Sequence, residues 1–143
     1  MSTVSGSDVR DRGPWHIVWF EDLRKAARSW WRVLRPGGRL VLVHEDPVVR
    51  CLEEDEGEVR IVWDYFDRGP ERYTFTGTPL ADKYGGRRGK APIVEFYHTF
   101  SDIINALCDA GFRIEKMAEP QPKEGARLGT GKLPGLFGLS ARK

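Results

Sequence analysis

His44-Glu45-Asp46 and Tyr97-His98 are the stretches whose side chains are best suited to chemistry. An imidazole titrates near neutrality and can take a proton from an oxygen or nitrogen acceptor. His44 and His98 are therefore the candidate catalytic residues, each a possible general base. Glu45 and Asp46 stand beside His44 as candidate substrate-binding carboxylates. Both stretches also have a plainer reading. The acids can be loop residues that cap backbone N–H groups, and His98 can be an N′ residue packed beside a helix start. Two histidines with Glu45 or Asp46 do not define a metal set by their spacing, so no metal is assigned. Trp63 and Tyr65 belong to a run of aromatics with Phe66, Tyr73 and Phe75. They can wall an apolar substrate pocket or simply pack the hairpin onto the sheet.

The elements that position these residues can be read from periodicity. Asp22 can cap a helix in which Leu23, Ala26, Ala27, Trp30, Trp31 and Leu34 fall on one face. Pro36 stops that helix, and Gly37-Gly38 make the reversal. Leu40-Val41-Leu42-Val43 follows without alternation, the pattern of a central parallel strand covered on both faces. His44-Glu45-Asp46 then lies beyond the strand's carboxyl end, where open α/β sheets gather ligands. The acidic run at Glu53, Glu54, Asp55, Glu56 and Glu58 reads as a solvated loop. Arg60 to Phe66 and Arg72 to Thr76 read as two strands of a β-hairpin turned at Asp67-Arg68-Gly69-Pro70. Residues 77–92 read as a loop rich in Gly, Pro and Arg. Val94 to His98 reads as a short strand. Thr99-x-x-Asp102 opens a second helix that Gly111 ends. Phe112 to Met117 and Leu136 to Lys143 complete the strands, with a polar loop over 119–132.

Two motifs carry less than they suggest. Leu128-Gly129-Thr130-Gly131-Lys132 lacks the earlier glycine and the Ser or Thr of a phosphate loop, since Ala126 and Leu133 hold those places. Gly85-Gly86-Arg87-Arg88-Gly89-Lys90 gathers three positive charges that can grip an anion or close over a pocket, but a solvated loop is the simpler account.

The chain has 143 residues, a net charge of +2 and 40% apolar residues. That is one globular domain, with too little charge to argue for nucleic acid or a membrane surface. No apolar run reaches membrane-spanning length, and the first residues carry no apolar signal core. Cys51 and Cys108 fit no zinc or redox spacing, and read as buried thiols in a reducing compartment. The expected location is the cytoplasm.

Arg32-Val33-Leu34-Arg35-Pro36-Gly37-Gly38-Arg39-Leu40-Val41, Tyr97 to Asp102 through Ala110-Gly111-Phe112, and the ending from Leu133 to Lys143 occur in the order seen in class I S-adenosylmethionine-dependent methyltransferases. The chain resembles the C-terminal half of that family from about residue 15 onward. The resemblance implies an α/β fold: a partial Rossmann-like methyltransferase sheet of strands four or five to seven, the last antiparallel, with a β-hairpin insertion. It implies one domain over 1–143, truncated at its N-terminus, with 51–92 as the insertion. His44, Glu45, Tyr97 and His98 would line the pocket of a small-molecule methyl acceptor. S-adenosylmethionine is the implied cofactor, yet the family's glycine-rich turn and ribose-holding acid have no counterpart here, and no cofactor-binding residue is assigned. Thr3-Val4-Ser5-Gly6 is at most a remnant of a fourth strand. With that half missing, one face and one edge of the sheet should be bare, which implies a homodimer or a partner chain over them. The alternative function is a non-catalytic binding or assembly module of methyltransferase ancestry.

Overall fold

The computed structural model describes residues 17–76, 90–122 and 131–143. It is a mixed α/β structure. A 3-10 turn over Ile17–Trp19 leads into α1 (Leu23–Val33). After β1 (Arg39–Glu45) and a second 3-10 turn (Val49–Cys51) come β2 (Leu52–Asp55), β3 (Glu58–Ile61), β4 (Glu71–Thr76) and β5 (Lys90–Glu95). The chain then forms α2 (Phe100–Ala110), β6 (Arg113–Ala118) and β7 (Leu136–Arg142). The main sheet has the order β1-β7-β6, with β7 antiparallel to both neighbours. Two two-stranded sheets, β2-β3 and β4-β5, lie between residues 52 and 95.

Both helices start and stop for local reasons. The Asp22 carboxylate accepts the Lys25 N–H at 2.9 Å and caps α1. Leu34 turns extended before Pro36, and the Lys143 ammonium donates to the Leu34 carbonyl at 2.7 Å while sitting 4.0 Å from the centre of the Trp31 ring. The reversal needs both glycines: Gly37 has φ +73°, and a Cβ on Gly38 would meet the Arg35 carbonyl at 2.8 Å. In α2 the expected capping box is present, with Thr99 and Asp102 each serving the other's N–H. Gly111 ends α2 at φ +102°, where a Cβ would also lie 3.1 Å from the Trp31 indole nitrogen.

The core lies between the helix pair and one face of the main sheet. Leu23, Ala26 and Ala27 of α1 meet Ile103, Ala106 and Leu107 of α2 over Leu42, Phe137, Leu139 and Ala141. Directly opposed residues share a face, so Leu40/Ala141, Leu42/Leu139 and His44/Phe137 look toward the helices. Val41 and Val43 look the other way and are 65% and 36% exposed.

Several sequence expectations are corrected here. Among the described residues β1 is an edge strand, with β7 its one strand partner and no element over its second face. Its unbroken apolar run suits two-sided cover, but both helices pack on one side. Of the two thiols expected to be buried, Cys51 is buried and Cys108 is exposed. His44 and Glu45 lie inside β1 rather than beyond it. The hairpin of Arg60–Phe66 with Arg72–Thr76 does not form: β3 pairs with β2, and β4 pairs with β5. The acidic run is not a loop but the β2-β3 hairpin itself. Leu52 stands opposite Ile61, and Glu56 and Gly57 turn it with φ of 51° and 83°, as a type I′ turn requires. β5 ends at Glu95, not His98, because Phe96 and Tyr97 direct their N–H groups to the Val18 and Arg68 carbonyls. Residues 3–6, 85–89 and 128–130, on which a strand remnant, a basic loop and part of a phosphate-loop lookalike were read, lie outside the described residues.

Gly111→Ala should cost about 1–2 kcal/mol, because an L side chain is strained at that φ and the Trp31 ring must also give way. Urea unfolding of the variant beside the parent measures this directly.

Candidate functional site

The best-developed polar cluster is carried by β4 and β5. Their register sets Glu71 directly opposite Glu95, and Tyr73 sits two residues on from Glu71 on the same face. Glu95 is only 4% exposed. The Tyr73 hydroxyl donates to Glu95 Oε1 at 2.8 Å. The Tyr97 hydroxyl donates to Glu71 Oε2 and lies 3.4 Å from Glu95 Oε2. The Arg50 guanidinium stacks over the Tyr97 ring, 4.0 Å from its centre. Burial pushes the Tyr97 phenol well above its usual range, and the bond to Glu71 and the charges of Glu71 and Glu95 push the same way, against a smaller effect of Arg50. Tyr97 is therefore a fixed hydrogen-bond donor and not a base. The cluster can bind and orient a polar group through carboxylates held in place by phenols.

Tyr97 was read from the sequence as a pocket residue and Tyr73 as part of an aromatic run that can wall a pocket; Glu71, Glu95 and Arg50 were not singled out. One signal was available for Glu95, an acid in the apolar run Ile93-Val94-Glu95-Phe96. A carboxylate at an inward strand position has to find donors, and here the tyrosines provide them.

The two histidines are engaged with different partners. His44 is buried, its ring 6.2 Å from that of Phe137, and its Nδ1 lies 2.8 Å from the Glu45 carbonyl. A carbonyl only accepts, so Nδ1 carries the proton and Nε2 holds the lone pair. His98 Nε2 donates to the Phe20 carbonyl at 2.9 Å, which ties the segment before α1 to the start of α2. Burial lowers the His98 pKa below 6.5, outweighing the Phe20 carbonyl and the Asp102 charge that favour the cation.

Asp46 is buried and acts as a cap. Its Oδ1 accepts the Val48 N–H at 2.8 Å and the Val49 N–H at 3.1 Å, the plain reading set out from the sequence. Glu45 is half-buried at the end of β1, opposite Leu136. Trp63 is 43% exposed in the irregular segment after β3, and its N–H meets the Cys51 carbonyl. Tyr65 reaches α2, where its hydroxyl accepts the Phe100 N–H at 3.1 Å, one of the donors a helix start leaves unsatisfied. Arg68 joins it there with a two-pronged pair to Asp102, at 3.1 and 3.3 Å. Burial tends to raise the Asp102 pKa, but the Thr99 N–H and Arg68 outweigh it and hold the carboxyl below its usual value.

Among the described residues no group of three His, Cys, Asp or Glu converges as a metal cage, and no helix is long and apolar enough to cross a membrane. No strand lies parallel and adjacent to β1 among them either, so they do not form the crevice between diverging parallel strands in which α/β sheets hold nucleotides. The described residues by themselves thus do not fit an S-adenosylmethionine cradle.

No protein-family model and no curated protein matches the chain by sequence. Solved structures do match its fold. A protein assigned as an S-adenosylmethionine dependent methyltransferase from Listeria monocytogenes superposes with a TM-score of 0.60 at 18% identity, over 90% of this chain and 57% of its own. An S-adenosylmethionine dependent methyltransferase from Mesorhizobium loti gives 0.56 at 22% identity, over 89% and 57%. The chain thus has a methyltransferase-like fold and spans 57% of the length of each of these two neighbours.

The lowered pKa of His98 gives stability a definite pH dependence. Between the folded pKa and 6.5 the unfolded chain binds more protons, so the His98 contribution is complete above pH 6.5 and is lost as pH falls through the folded value. Asp102 acts with the same sign at lower pH, below its ordinary 3.8. Urea midpoints should fall from pH 7.5 to pH 5. His98→Gln, which keeps a donor for Phe20 but does not titrate, should flatten that fall.

Proposed function

We propose that this chain serves S-adenosylmethionine-dependent methyl transfer to a small-molecule acceptor, and that it supplies the acceptor side. The observation that carries the reading is the fold likeness to two methyltransferases over about nine-tenths of the chain. In this reading β1, β6 and β7 are the fifth, sixth and seventh strands of a Rossmann-like sheet, and β2 to β5 form the substrate-side insertion. S-adenosylmethionine would supply the methyl group. Its capture belongs to residues other than those described.

The chain's own residues would bind and orient the acceptor. Glu71 and Glu95, fixed by Tyr73 and Tyr97, hold a polar or cationic group of the acceptor against a buried wall. Trp63 and Tyr65 stand on the segment that closes against α2. His44, in the tautomer with its lone pair on Nε2, can take the proton an oxygen or nitrogen acceptor gives up. His98, kept neutral by burial, has its lone pair on Nδ1 and is the second candidate base. Catalysis of this kind rests chiefly on positioning.

Incubating the chain with methyl-labelled S-adenosylmethionine and a deproteinised small-molecule extract should move label into the small-molecule fraction. Tyr97→Phe should raise the acceptor concentration needed for half-maximal rate by about tenfold, as expected for one lost charge-assisted hydrogen bond. Replacing both His44 and His98 by Ala with unchanged turnover would remove the histidines from the mechanism. Absence of label, together with absence of heat on calorimetric titration with S-adenosylmethionine, would favour a binding module instead.

A further inference from the structure

Three arginines stand in one row across the main sheet. The register sets Arg39 of β1 directly opposite Arg142 of β7, and Arg142 directly opposite Arg113 of β6. Directly opposed residues share a face, and the next pair along, Leu40 with Ala141, looks toward the helices. All three guanidiniums therefore rise from the other side of the sheet. Like charges set directly opposite one another destabilise a sheet. Here two neighbouring ladders carry that cost at the same place. Folding gives no reason for such a row.

One carboxylate serves the whole row. Glu115 Oε1 accepts from Arg142 Nε at 2.6 Å and lies 3.5 Å from Arg113 Nη2. Its Oε2 accepts from Arg39 Nε at 3.1 Å and lies 3.0 Å from Arg39 Nη2. The Arg142 bond leads in holding the Glu115 carboxyl below its usual range; desolvation opposes it, and Arg39 adds to it. Three positive charges against one negative leave two unbalanced. The register shift in β6 adds another cation. It sets Lys116 opposite Ser140, two residues from Arg142 and on the same face, whereas strict alternation from Arg113 would turn Lys116 toward the helices. The geometry also selects a shape of partner. The guanidiniums converge on one small oxyanion instead of lining a track. They are more exposed than the Glu115 side chain they surround. Each guanidinium is a planar fork of five donors that matches phosphate oxygens. Arg142 uses Nε for Glu115, which leaves its Nη pair for a second anion.

We propose that Arg39, Arg113 and Arg142, flanked by Lys116, form a binding site for a compact phosphate-bearing ligand of the diphosphate class. Glu115 gathers the three forks and competes with the ligand for them. The ligand's phosphate oxygens take the donors that Glu115 leaves over, and its charge relieves the repulsion along the row. The inference does not depend on the reaction assigned above.

Calorimetric titration of the whole chain with inorganic pyrophosphate tests it. The wild type should bind saturably at low ionic strength and lose roughly tenfold in affinity at physiological salt. Arg142→Gln, in the middle of the row, should weaken binding by about tenfold. Arg113→Gln, whose contact with Glu115 is the longest, should also weaken binding while circular dichroism shows the fold intact. Glu115→Gln should act in reverse. It removes the competing anion, so pyrophosphate should bind about tenfold more tightly while the urea midpoint falls. A row that served only the fold would show no such tightening. A nucleoside diphosphate separates the two sources of this chemistry: equal affinity assigns free pyrophosphate, tighter binding assigns a diphosphate ester, and both support the site. Absence of saturable binding in the wild type and in Glu115→Gln, wild-type affinity in both arginine variants, or unchanged affinity in Glu115→Gln would overturn the proposal. A single-stranded oligonucleotide that outcompetes pyrophosphate would overturn it too, because the row would then serve an extended strand.

Discussion

Phe137 has no solvent exposure, and the packing around it governs where everything else can sit. It lies on β7 opposite His44, with the ring of Phe100 5.0 Å away. One aromatic side chain thus joins the middle strand of the main sheet, the end of β1 and the first turn of α2. The helices are held on that face because Leu42, Leu139 and Ala141 continue its apolar surface and Ala26, Ala27 and Ala106 let the helices come close. Burial of this kind is the main favourable term in folding. With both helices committed to one side, the valines of β1 have no cover among the described residues.

The same asymmetry separates what the sequence made legible from what it hid. α1 was readable because its signals are local: an acidic cap, a 3.6-residue apolar period and a Pro-Gly-Gly stop. α2 was readable for the same reason, from Thr99 and Asp102 to Gly111. β6 and β7 were placed to within a residue or so. Residues 52–76 were misread. In β2 and β3 the acidic side chains mask a short alternation of Leu52, Val59 and Ile61, and Glu56 gives no compositional hint that it takes a left-handed conformation. β4 pairs across a long intervening segment, and such non-local register leaves no trace in spacing.

The candidate site divides along the same line. Tyr97 could be named because the family resemblance pointed to it, but its partners depend on the β4-β5 register. That register converts Glu71 and Glu95 from two separated acids into one facing pair. Asp46 shows the reverse: it stood next to His44 in a suggestive triplet, and the structure gives its Oδ1 to two backbone N–H groups. Adjacency along the chain is weak evidence for a shared task when strand residues alternate in direction.

Asp102 completes the capping box of α2 and also receives the Arg68 fork, while the Tyr65 hydroxyl meets the first amide of the same helix. A single carboxylate therefore fastens the 62–70 segment to the helix it leans on. Fraying of that helix end releases the segment, and departure of the segment unfastens the helix end. The two should behave as one cooperative opening unit in amide exchange, so that a strain placed on the 62–70 segment is felt in the first turn of α2.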